Sequence, residues 1–360
     1  MNRRPMLSRQ TPAVRSAGGS PRTVLRLLAA ASGARVAYAA LTRVPPGGQK
    51  TWTRTNHRGE PVTLLEGPAA SIAAVTSALA VAGSEGGKGQ AALAVAGLGA
   101  AAVGCYDDLA GTGDRRGFRG HLGALAKGEV TTGAVKLIGV GAAGLAAAIL
   151  LDGRDGSGGG RGVKRPERNG SAAGRVADVG INAGLVAGAA NLVNLFDLRP
   201  GRAIKVSLLA SAALAATGRQ GRASIAAPAG AALALLPEDL GERAMLGDSG
   251  ANALGAMLGV AAASSLPRPA RLGVLAGIVG LTVASEKVSF TKLIARTPTL
   301  NWLDMLGRRS VQAPVEAGNP ADRPEGGVPL DQPGAAERGL DEHGADKPAA
   351  TRHGSDQPRQ

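Results

Sequence analysis

Apolar runs alternate with short charged loops through the middle of this chain, and polar, Gly/Pro-rich stretches bracket it at both ends. The runs are built mainly from Ala, Gly, Leu and Val. They fall at residues 22–42, 61–83, 89–106, 131–151, 174–196, 203–217, 222–237, 249–265 and 271–290. Crossing the hydrocarbon of a bilayer takes a helix of about 20 apolar residues, and stretches such as Thr131–Leu151 have that length. Ala and Gly contribute little transfer energy, and 203–217 and 222–237 are short for a span. A soluble Ala-rich helical protein is the alternative, but so many apolar runs are hard to place in water. The pattern predicts an all-α, polytopic integral-membrane helical bundle of about nine transmembrane helices, ten at most, with disordered N- and C-terminal tails.

The organisation follows from the same pattern: a basic flexible N-terminus (1–21), a transmembrane domain (22–290), an amphipathic interfacial segment (291–307) and a disordered tail (308–360) rich in Pro, Gly and charge. The basic start followed by an apolar stretch also resembles a signal peptide, but Arg26 and Arg35 interrupt that stretch and argue against cleavage. In 291–307, Leu293, Ile294, Leu300, Trp302, Leu303 and Leu306 interleave with Lys292, Arg296 and Asp304, divided by Pro298. This reads as a broken amphipathic helix on the membrane surface or as a helix packed against a loop.

The net charge of +14 invites a nucleic-acid partner, but the cations are spread over loops and tails and only 2% of residues are aromatic. Stacking platforms are therefore scarce, and no nucleic-acid partner is expected. Cationic loops beside apolar spans suit membrane topology better. The single cysteine, Cys105, excludes an intrachain disulfide. Small-residue pairs at helix-packing spacing (Gly184/Gly188, Gly255/Gly259, Gly273/Gly277) predict close helix contacts.

With nine crossings, the loops 43–60, 107–130, 197–205, 238–248 and everything after 290 share one face. Lys and Arg are nearly balanced between the two faces, so charge alone does not orient the chain. Three polar clusters all fall on the shared face. Asn191, Asn194 and Asp197 lie at i, i+3, i+6, along one helical stripe that Pro200-Gly201 terminates, with Arg199, Arg202 and Lys205 at the exit. Such groups at the end of an apolar segment need each other, water, a metal or a substrate as partners; an interhelical hydrogen-bond network would also account for them. Asp107 and Asp108 are adjacent, so their side chains diverge by about 100° on a helix. One is expected to face a site while the other caps, orients or pairs with a base such as Arg115. Gly247-Asp248-Ser249-Gly250 opens an apolar run. Asp and Ser are ordinary helix N-caps, but free amides at a helix N-terminus also favour phosphate, with Asp248 an oxygen ligand for Mg²⁺.

Taken in order, Asp107-Asp108, Asn191-x-x-Asn194-x-x-Asp197 and Gly247-Asp248-x-Gly250 resemble the motifs of the polyprenyl-phosphate N-acetylhexosamine-1-phosphate transferases, over roughly residues 40–290. That family includes the enzyme making the first lipid-linked peptidoglycan precursor. The resemblance implies a multi-pass cell-membrane enzyme with its active site facing the cytoplasm. Such an enzyme passes a sugar-1-phosphate from a UDP-sugar to polyprenyl phosphate and releases UMP, with Mg²⁺ or Mn²⁺ as cofactor. By the same likeness Asp248 is the metal ligand. Asp197 is a second ligand or lies beside the pyrophosphate, and Asp107 or Asp108 orients or deprotonates the lipid phosphate. Asn191, Asn194, Lys136, His121, Arg199, Arg202, Gly247, Ser249 and Gly250 hold substrate. The chain departs from the family in having no histidine in Ser285–Phe290, in Leu198–Arg202, which lacks the usual Gly/Asp-rich continuation, and in nine helices where the family has ten. These departures keep open a non-catalytic polyprenyl-phosphate-binding scaffold of envelope assembly. A transporter using the polar residues as a path is a third reading, and a homodimer is compatible with each.

Overall fold

The computed structural model describes residues 20–80, 87–110, 127–128, 131–153 and 171–309. The expected tails, His121 and Arg115 lie outside the described residues. The remainder is mostly helical. Nine long helices are described: α1 (Pro21–Arg43), α3 (Glu66–Leu79), α4 (Gly87–Ala110), α5 (Thr132–Asp152), α6 (Ala172–Phe196), α7 (Arg202–Ala216), α8 (Arg219–Leu240), α9 (Gly247–Ser265) and α10 (Arg268–Ser285). Short helices α2 (Gln49–Trp52), α11 (Phe290–Arg296) and α12 (Pro298–Met305) accompany one antiparallel hairpin, β1 (Thr53–Thr55) with β2 (Pro61–Thr63).

Each apolar run coincides with a helix, with one shortened. The run 61–83 begins as a strand, because β-branched Val62 and Thr63 pair with Arg54 and Thr53, and its helix spans only Glu66–Leu79. Local signals fix other ends. Ser20, Thr131 and Ser171 each accept a hydrogen bond from a first-turn amide, and Gly201 starts α7 from the left-handed region at φ 71°.

The layout is centred on α9, which packs against α3, α4, α5, α6, α7 and α8. Every residue from Ser249 to Ala263 is buried. Its Ala/Gly composition explains how so many neighbours fit. A Cβ on Gly255 would lie 2.4 Å from the Ala189 carbonyl, and one on Gly259 2.5 Å from the Val186 Cα. Thus α6 and α9 touch backbone to backbone, as small-residue spacing allows. Gly184 and Gly188 similarly receive Leu275 and Ile278 of α10. Gly273 and Gly277, which share that spacing, have nothing among the described residues within 4 Å of a built Cβ, so no described helix packs on them there.

Large apolar side chains instead point outward: Leu25 and Val36 on α1, Leu98 on α4, Ile138 and Ile149 on α5, Val279 and Val283 on α10. Small residues inside and large aliphatic ones outside invert the order of a water-soluble bundle and suit a lipid surround. Among the described residues α1, α4, α5 and α6 are long and apolar enough to cross a membrane, and α10 with α11 forms a further pair bent by 96°. This is the build of an all-α membrane protein.

Candidate functional site

The start of α9 is where the three polar clusters meet. Gly104 on α4 and Gly67 on α3 leave space that no side chain could share: a Cβ there would lie 2.2 Å from the Asp248 carbonyl and 2.1 Å from the Leu246 carbonyl. The two helices therefore close directly on residues 246–250. Gly247 adopts φ 59°, a conformation that favours glycine, and turns the chain into the helix. Asp108, near the end of α4, takes the position of an N-cap from outside the helix. Its two carboxylate oxygens accept from the amides of Asp248 and Ser249, both at 2.9 Å. Asp197, just past α6, lies close to the Gly247 amide. Charge-assisted bonds of this kind contribute about 1.5–3 kcal/mol each, and a carboxylate at a helix N-terminus also complements the macrodipole.

Asp107 diverges from Asp108, as adjacent helical positions must, and faces the outer side of this junction. There it lies beside Asp248 and close to Thr132 at the start of α5. Lys136, one turn further along α5, places its ammonium 2.5 Å from Asp248 and 3.4 Å from Asp107. All three side chains remain partly open to solvent. The β1–β2 hairpin roofs the junction. Met245 donates its N–H to the Thr63 carbonyl at 3.0 Å, and Arg54 donates to the Asp108 carbonyl. The arrangement is a small acidic pocket edge with one cation, anchored on three helices and a hairpin.

Several expected roles change. The Asp248 and Ser249 amides at the start of α9 are already engaged by Asp108, so they offer no free anion site to a phosphate. Gly247, Ser249 and Gly250 are buried structural residues: Ser249 accepts from Ser71 through its carbonyl, and Gly250 abuts Gly67. Arg202, expected to bind substrate, is instead buried in a two-point ion pair with Asp304 at 2.8 and 3.0 Å and also donates to Thr291. That pairing docks α12 onto α7 and explains why the interfacial segment packs on the protein while Leu300 and Trp302 stay exposed. Both oxygens of Asp108 serve the helix, which leaves Asp107 as the member of the pair that faces outward. Asp197 is buried, with Oδ2 lacking a hydrogen-bond partner among the described residues. Asn191 is exposed and Asn194 half-buried on the stripe leading to it, and Arg199 is half-buried.

Other residues of the junction carry little signal in the sequence. Glu66 is wholly buried in the first turn of α3, with both carboxylate oxygens unpartnered among the described residues; Asp239, at the end of α8, is buried with its Oδ2 likewise unpartnered. A carboxylate inside an apolar run, as Glu66 is in 61–83, was the available clue. His57, in the hairpin turn, is held below its ordinary value by burial and by the nearby charge of Arg199. Among the described residues no group of three or more His, Cys, Asp or Glu side chains is arranged to hold a metal ion alone. No protein-family model matches the chain, and no curated protein is detectably similar to it.

Proposed function

We propose that this protein is a membrane-embedded, Mg²⁺-dependent transferase that moves a sugar-1-phosphate from a UDP-sugar to polyprenyl phosphate, releasing UMP at the cytoplasmic face of a nine-span bundle. One observation carries this reading: Asp107, Asp108, Asp197 and Asp248, from three separate helix ends, converge on one junction with Lys136. Four carboxylates drawn together at the end of apolar helices are costly without a partner, and the chemistry that uses them is charge neutralisation between two phosphates.

The donor set fits a hard divalent cation. Asp248 and Asp107 present oxygens side by side with only Lys136 against them, and Mg²⁺ takes one or two protein carboxylates with the rest of its shell from water and phosphate oxygens. Asp248 would hold the ion with Asp107 beside it. When bound, the ion would offset charge on the departing nucleotide phosphate. Lys136 draws the anionic phosphates to the junction. Asp107 orients the acceptor phosphate or takes its proton, so that an acceptor oxygen forms the new bond to the sugar-bearing phosphorus as the bond to UMP breaks. Asp108 is a positioning residue: through the α9 amides it fixes where Asp248 stands. Asn191, Asn194 and Arg199 lie on the same end of α6 and are the side chains left to contact the nucleotide or sugar.

Membranes containing the full chain, incubated with labelled UDP-N-acetylglucosamine or other UDP-sugars, polyprenyl phosphate and Mg²⁺, should yield organic-soluble label and UMP. Absence of both across the UDP-sugars overturns the reading. Binding of polyprenyl phosphate without turnover would replace it with the scaffold function.

A further inference from the structure

The seam of α7, α8 and α12 carries two adjoining hollows, of about 430 and 340 Å³, that share Leu236, Leu240 and Gly307. Their sides are leucines; their Gly307 end is cationic, with Lys205 lining one hollow and Arg308 and Arg309 the other. We propose that this groove binds one anionic phospholipid, with its headgroup phosphate against Lys205 and Arg308 and one acyl chain along α8.

Two features of the groove select that ligand. The first is charge. Arg202, Lys205 and Arg308 surround a single carboxylate, Asp304: both arginines bond its carboxylate, whereas Lys205 is held by the carbonyls of Leu303 and Asp304. Three cations to one carboxylate leaves a local surplus of two positive charges. Arg309 is answered separately by Glu60 at 2.7 Å and Glu242 by Arg58 at 3.0 Å, and Asp239 is buried behind. A phosphodiester supplies the missing negative charge through charge-assisted hydrogen bonds; a zwitterionic headgroup brings its own cation and leaves the surplus. The second feature is direction. Leu240, Leu236 and Leu233 succeed one another by a turn of α8 and run about 10 Å away from the cationic end. Leu209 and Leu233 are half exposed along this path. A chain leaving a phosphate at Gly307 would therefore lie on a leucine stripe heading into the bilayer. The inference rests on the membrane reading and not on the transferase one.

The test uses the purified full chain in mild detergent, titrated with dioleoylphosphatidylglycerol, dioleoylphosphatidylcholine or polyprenyl phosphate and read by native mass spectrometry. One phosphatidylglycerol per chain should be retained about tenfold more strongly than phosphatidylcholine. The pair Lys205→Gln with Arg308→Gln should remove that preference, and Leu209→Trp, which fills the groove from its open side without touching a charge, should weaken phosphatidylglycerol retention. Equal retention of the two phospholipids by the native chain, or a preference that survives both variants, overturns the proposal. So does retention of polyprenyl phosphate alone. Should the double variant fail to fold, the native chain's selectivity and Leu209→Trp decide. The readout is bound mass, so loss of transferase activity leaves it unaffected.

Discussion

Helix α6 buries an acidic residue near each end, and the two are handled in opposite ways. Near its start, Asp178 is paired with Arg271 at 3.1 Å and Arg268 at 3.6 Å, and Asn182 accepts from the same Arg271 at 2.7 Å. About 28 Å further along the helix, Asp197 has mostly carboxylates for charged neighbours: Asp239, Asp248 and Asp108. The first cluster gives its carboxylate cationic partners, a strut holding α10 to α6. The second is left open, and Lys136 answers only its outer rim. A buried carboxylate with cations against it reads as architecture; a group of carboxylates with a deficit of positive charge reads as a place awaiting a cation.

Four experiments press on that contrast. Asp248→Asn should reduce product formation by more than about a hundredfold, with the thermal unfolding midpoint of the purified protein unchanged; retained turnover would remove the open cluster's claim to chemistry. Arg271→Leu should do the reverse. Losing the buried Arg271 leaves Asp178 with only the half-exposed Arg268 and Asn182 without its donor, a cost of up to about 3–5 kcal/mol, visible as a lowered unfolding midpoint, while activity per folded molecule stays the same. Replacing Asp178, Asn182 and Arg271 together by apolar residues should restore most of that loss. Gly104→Ala would push its new methyl into the Asp248 carbonyl, so α9 must shift, at about 1–3 kcal/mol. A roughly tenfold rise in the Mg²⁺ concentration needed for half-maximal turnover would register the displacement.

The smallest effect concerns the docking of α12. Burial pushes the Asp304 carboxyl up, but its bonds to Arg202 and the fields of Arg202, Arg308 and Lys205 outweigh this and hold it below its ordinary value. A depressed folded-state value means that the contribution is complete above the unfolded value of 3.8 and fades as pH falls through the folded one. Trp302 emission should therefore stay constant from neutral pH down to about 4 and shift only in stronger acid. A shift already complete at pH 6 would place the control elsewhere.

The helices were legible because apolar runs of this length leave few other options, and the parity of their loops brought the three polar clusters to one end. What escaped was decided by approach in three dimensions. The free amides expected at Gly247-Asp248-Ser249 are taken by Asp108, 140 residues away from Asp248 in sequence. Arg202 looked like a substrate cation because Asp304, its partner, lies 102 residues on. Gly255/Gly259 and Gly273/Gly277 are indistinguishable as spacings, yet one pair faces a backbone and the other faces none of the described residues. Spacing reports a capacity for contact, and only the neighbour makes it one. Glu66 was absorbed into an apolar run because one carboxylate barely alters the average of its surroundings.

The central position of α9 has a consequence for biogenesis. Among the described residues α9 is not one of the helices apolar enough to cross a membrane by composition, yet it is enclosed on nearly all sides. Its Asp, Asn and Gly residues make entry into bare lipid unfavourable. The ribosome delivers α1 to α8 first, so this segment emerges when its neighbours are already in place, and it inserts against protein rather than fatty acyl chains. Closure of the junction around Asp248 thus waits for α9, and a stall before α9 would leave a ring of helices without its axle.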